Sequence, residues 1–113
     1  MNRLLKYPMT EIVAQRKFEL SRDDGSATVI VSFGQPAPIP DNTNGDWYCP
    51  WRIESPNGTR ELFAGGVDSL QAFLLAISMV RSELKFIIAP NGGLTWLSGS
   101  DLGLTLAEYN DNE

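Results

Sequence analysis

The chain contains no histidine and a single cysteine, Cys49. Without histidine there is no imidazole to act as a base or ligand, so Ser–His–Asp and Cys–His catalysis and His-based metal sites are excluded. One thiol cannot close an intramolecular disulfide, and alone it gives no ligand set for structural zinc; a reducing compartment is the expectation. The sequence also lacks the P-loop and the dinucleotide glycine pattern. The N-terminal residues hold no apolar core fit for a signal peptide, and the longest apolar run is too short to span a bilayer. A soluble cytoplasmic protein without membrane attachment is therefore expected.

Basic charge is scarce. The net charge is −5, divided into +3 over residues 1–22 and −8 over the remainder. An acidic bulk does not suit binding to nucleic acid phosphates, which calls for basic clusters. It serves solubility, or the steering of a basic partner.

What the sequence does hold is one strong helix signal. In Gly65–Leu84, Asp68 stands as N-cap and Gln71 three residues on completes a capping-box pattern, with two glycines allowing a sharp entry. Leu70, Phe73, Leu74, Ile77, Val80 and Leu84 recur at helical spacing and are expected to face a sheet. Ala72, Leu75, Ala76 and Met79 then fall opposite or on the flank, leaving apolar side chains for a further contact.

The rest reads as β-structure. A first strand from Val13 to Ser21 and a second, Thr28–Phe33, form a hairpin about the turn Arg22–Ser26. Gln35–Pro40 is an extended connector, since proline cannot serve a sheet interior. Trp47–Glu54 alternates Trp47, Cys49, Trp51 and Ile53 toward the helix against Tyr48, Pro50, Arg52 and Glu54 outward. Asn57-Gly58 marks a second hairpin, returning through Arg60–Ala64. Phe86–Ile88 fits either helix or strand, Pro90–Gly93 is a stop, and Leu94–Leu97 reads as a short last strand. The expected fold is α+β: an antiparallel sheet of four or five strands, mainly hairpins, packed on one long helix. Residues 1–113 form a single domain, with a loose lead-in at 1–10 and a frayed end at 107–113.

Several features suggest chemistry, and each has a plainer structural explanation. Asp41–Asp46 is rich in side-chain oxygens, but Gly45 stands fifth and Arg52 twelfth, where a calcium loop needs glycine sixth and glutamate twelfth. Gly65-Gly66 before a helix is a possible anion cradle, yet Asp68 already supplies negative charge there. Cys49 lies in strand phase with Trp47 and Trp51, which implies an inert buried thiol. Glu54 and Glu61 are a conceivable carboxylate pair of unknown separation. No catalytic, cofactor or metal residue is assigned.

Trp47-Tyr48-Cys49, followed by Gly66–Ala72 (Gly-Val-Asp-Ser-Leu-Gln-Ala) and by Leu94-Thr95-Trp96-Leu97 with Leu102-Gly103-Leu104, resembles a family of small bacterial proteins with no assigned function. The resemblance covers roughly residues 12–106 and implies a self-standing domain; it transfers no site residues. The Gly66–Ala72 segment is also similar, more loosely, to small acidic immunity-type proteins that neutralise toxins. The functional expectation is a non-catalytic protein–protein interaction module, immunity-like or regulatory, with Leu75, Met79, Tyr48, Arg52 and Glu54 as the partner surface. The alternatives are a homodimer of unknown role, and an enzyme using carboxylates or Cys49.

Overall fold

The computed structural model describes residues 7–22, 25–40, 44–91, 93–95 and 102–104. The tip of the first turn, part of the polar loop, Trp96-Leu97 and the end at 107–113 lie outside the described residues. The elements are β1 (Ile12–Arg22), β2 (Gly25–Gly34), β3 (Ala37–Pro38), β4 (Trp47–Ser55), β5 (Gly58–Gly66), α1 (Ser69–Asn91) and β6 (Leu94–Thr95). All pairings are antiparallel. Across the sheet the order is β5, β4, β2, β1, β6, and β3 joins the edge of β4 that β2 occupies further along. The architecture is α+β, built mostly of hairpins on one helix.

Alternation sets the inner face. Phe18 and Leu20 of β1, Val29, Val31 and Phe33 of β2, and Cys49, Trp51 and Ile53 of β4 are buried in one cluster with the helix. The second hairpin turns within Ser55–Thr59 as expected, with its tip one residue before Asn57-Gly58. Ser55 pairs with Gly58, so Pro56 and Asn57 occupy the central positions. Proline fixes a negative φ that a type I′ turn cannot accept, and Gly58 takes the positive φ (128°) instead. The Pro-rich connector is extended as expected, but Ala37 and Pro38 also pair with Tyr48 and Trp47.

The helix begins as its cap requires. The Gln71 backbone N–H donates to Asp68 Oδ1 at 2.8 Å. The Gln71 side chain reaches back one residue further than a capping box, accepting from the Val67 N–H at 2.7 Å. The helix continues through Phe86–Ile88 and ends within the Pro90–Gly93 stop.

Its buried face differs from the expected one. Ala72, Ala76, Val80 and Leu84 are fully buried, whereas Leu70 and Leu74 are 63% and 38% exposed. Phe73 and Ile77 pack partly against the core from one side. The reason is steric. The sheet beneath presents Trp51, and the helix start passes over Gly66 so closely that only small residues fit between them. Alanines at i and i+4 permit that approach, and the larger leucines are turned out.

Candidate functional site

The helix lies over β5 and β4 and scarcely touches β1. One helix does not roof five strands: along the far flank of α1 the start of β1 is open, with Ala14 exposed and Arg16 half-buried, while Phe18, Leu20, Val29, Val31 and Phe33 are covered. Two cavities follow that seam. One, of about 460 Å³, is lined by Val13, Gln35, Pro36, Trp47, Leu70 and Phe73. The other, of about 190 Å³, is lined by Ala14, Arg16, Phe33, Phe73, Ile77 and Leu104. Phe73 lines both of these segments of the groove beside α1.

Local structure shapes each end. The β1–β2 ladder shifts register between Ile12 and Ala14, so Val13 is an extra residue in the strand. Such a bulge re-aims a side chain, and Val13 is 52% exposed at the mouth of the groove beside Leu70. Glu11 and Asp68, both exposed, adjoin that end in the chain. At the other end Arg16 Nη1 donates to the carbonyls of Leu102 and Gly103 at 3.1 and 3.0 Å, fastening residues 102–104 beside the groove. Leu70 and Leu74 were missed as surface residues because helical spacing alone groups them with the core. The signal that locates them is the pair Ala72 and Ala76 after a double glycine, which marks a close-packed helix face.

The outer sheet face is different in kind. Gln15, Ser32, Arg52 and Glu61 stand side by side across four adjacent strands. Gln15 Nε2 donates to the buried Ser32 Oγ at 2.9 Å, and Arg52 Nε donates to Glu61 Oε2 at 2.7 Å. Glu54 stands opposite Thr59, diagonal to Glu61, whose carboxylate is already engaged by Arg52. One corner is aromatic: Tyr7 lies 5.2 Å from Tyr48 and 4.5 Å from Phe63, and Tyr48 Oη donates to the Pro8 carbonyl. Thus, within the expected lead-in, residues from Tyr7 on lie against the sheet.

The five residues expected as a partner surface are not brought together. Leu75 and Met79 lie on the helix, while Tyr48, Arg52 and Glu54 lie on the opposite face of the sheet. Leu75 is exposed and Met79 packs partly on the core. Tyr48 is not available outward: it is buried beneath Tyr7 and Pro8. Arg52 and Glu54 are half-buried.

Cys49 is wholly buried, with Sγ 3.4 Å from the Gly34 carbonyl, and burial pushes its thiol up to about 11. That is the reverse of the lowered pKa a nucleophilic thiol needs. Trp51 is equally buried, and its Nε1–H has no acceptor among the described residues. Leaving such a donor unmet costs about 1–3 kcal/mol, offset here by the area its ring buries. Among the described residues no group of three or more Cys, Asp or Glu could hold a metal ion, and no helix is long and apolar enough to cross a membrane.

Residues 14–106 match a Domain of unknown function (DUF6968). No curated protein and no solved structure matches the chain.

Proposed function

For this chain, which belongs to the DUF6968 family, we propose the role of a non-catalytic protein–protein interaction module, a small acidic binder of regulatory or immunity-like type in the bacterial cytoplasm. The observation that supports it is the seam. Exposed apolar side chains scattered singly on a surface need no explanation, but contiguous ones mark contact sites. Val13, Leu70 and Leu74 are exposed, and Val13 and Leu70 border a groove floored by Phe73. The partner supplies an apolar segment to the groove and a cation toward the Glu11 and Asp68 end, in keeping with the net charge of −5.

The test is affinity capture from native lysate at low salt, run in parallel with wild type and a Val13→Asp/Leu70→Asp double variant. Both substituted positions are exposed, so the variant is expected to fold. Wild type is expected to retain a stoichiometric partner that the variant loses. Recovery of no stoichiometric partner, or of the same partner by both proteins, overturns the reading.

A further inference from the structure

The flank of the helix away from the seam overhangs β5, and among the described residues β5 is the end strand of the sheet. It pairs with β4 on one side, and none of the described residues pairs with its other side. A nine-residue strand with an open row of N–H and C=O groups is a template for another strand. We propose that the open edge of β5 is a dimerisation surface, pairing antiparallel with β5 of a second copy of this chain about a two-fold axis at Leu62.

The register carries the choice of partner. Leu62 is the midpoint of Gly58–Gly66, so a two-fold axis there pairs all nine residues of the strand. Leu62 meets its own copy, Glu61 meets Phe63, Arg60 meets Ala64, and Thr59 meets Gly65. No like charges stand directly opposite, which is the arrangement a strand pair requires. Moving the axis by one residue to Glu61 sets two carboxylates face to face and shortens the ladder. Moving it to Arg60 does the same with two guanidiniums. The two Glu61 side chains are diagonal in the proposed register, each already held by its own Arg52. The other charged side chain on the strand, Arg60, is engaged by Glu83 of the helix. Both charges of β5 are thus satisfied within one copy, and what remains for the second copy is backbone and the uncharged side chains of Thr59, Leu62, Phe63 and Ala64.

The helix adds to the same edge. At about 100° per residue, Leu75 and Met79 lie on the side of α1 opposite Phe73 and Ile77, which face the seam. They therefore flank the β5 side, and Leu75 is 43% exposed there. A two-fold axis perpendicular to the sheet keeps both helices on one face and brings Leu75 and Met79 of the two copies toward each other above the Leu62 pair. An isologous contact needs this self-complementarity. The surface is distinct from the seam, and the proposal stands or falls independently of the partner reading above.

The test is light scattering on the full chain across a wide concentration range, joined to cysteine cross-linking. Opposed residues in an antiparallel ladder have Cα atoms about 4.5–5.5 Å apart, within the span of a disulfide. Leu62→Cys is expected to oxidise to a covalent dimer, whereas Thr59→Cys, opposite Gly65 in this register, does not. Native Cys49 is buried and does not compete. Leu75→Glu is expected to weaken dimerisation at least tenfold while leaving the circular dichroism of the monomer unchanged. A protein that stays monomeric throughout overturns the proposal. So does a dimer that cross-links through Thr59→Cys and not Leu62→Cys, or one that Leu75→Glu leaves intact.

Discussion

Gly66 and Ala72 approach so closely that a Cβ placed on Gly66 would lie 2.5 Å from the Ala72 backbone nitrogen. The neighbour is helix backbone, which cannot swing aside as a side chain could. Gly66→Ala must therefore lift the first turn of α1 away from β5. Overpacking of this kind costs about 1–3 kcal/mol. Urea unfolding followed by tryptophan fluorescence should show that loss, with Gly65→Ala nearly silent, because a Cβ there meets nothing closer than 3.8 Å.

The same turn depends on its cap. Asp68 Oδ1 satisfies the Gln71 N–H. Asp68→Ala is expected to cost about 1 kcal/mol and Asp68→Asn much less, since both native and amide side chains accept this bond. Equal losses in the two variants would mean that charge, not the accepted hydrogen bond, is what the helix start uses.

Cys49 should make stability fall in alkali. Its thiol is pushed up to about 11 in the folded chain from an ordinary value of 9.0. Over that window the native state keeps a proton that the unfolded chain has lost, so raising the pH favours unfolding. The contribution is complete below about pH 9 and drains away toward pH 11. Tyr48, also raised by burial, adds a loss of the same sign. Comparing wild type with Cys49→Ala isolates the thiol: the stability gap between them should narrow as pH rises from 8 to about 10.5. A gap that widens would place the thiolate, not the thiol, in the native core. A disulfide-exchange probe should leave Cys49 untouched until denaturant is added.

The Arg52–Glu61 pair, at 2.7 Å but with side chains 25% and 43% exposed, should contribute little. A double-mutant cycle is expected to give a coupling below about 1 kcal/mol that shrinks with added salt. A larger, salt-independent coupling would show that the polar row from Gln15 to Glu61 acts as one network.

The strand phases were legible because apolar residues recur at every second position, even though Ile30, Tyr48 and Pro50 blur the outward set: Val29, Val31 and Phe33, then Cys49, Trp51 and Ile53, all face the core as alternation implies. The cap was legible because Asp68 and Gln71 interact within one turn. What could not be read were distances between elements. Periodicity gave Leu70 and Leu74 the same weight as Val80, and only the nearness of Gly66 and Trp51 decides that alanines take the inner position. Tyr48 was assigned outward correctly by phase, but its cover by Tyr7 and Pro8 spans some forty residues of chain and leaves no local pattern. The seam was hidden for the same reason: it is set by how few strands one helix can span.

That partial roof has a kinetic side. β4, β5 and α1 follow one another along the chain and hold one another through local hairpin and helix-on-hairpin contacts. Elements whose residues are buried in the core open only with the whole molecule, whereas those with an exposed face open locally. In native-state hydrogen exchange, amides of Trp51, Ile53 and Ala64 should be released only by global opening. Those of β1 between Ala14 and Lys17, bordered by the seam, should be released by smaller and more frequent excursions. A partner seated in the seam would then bind at the margin of the slowest-opening unit and lend its own protection to the half of the sheet that opens first.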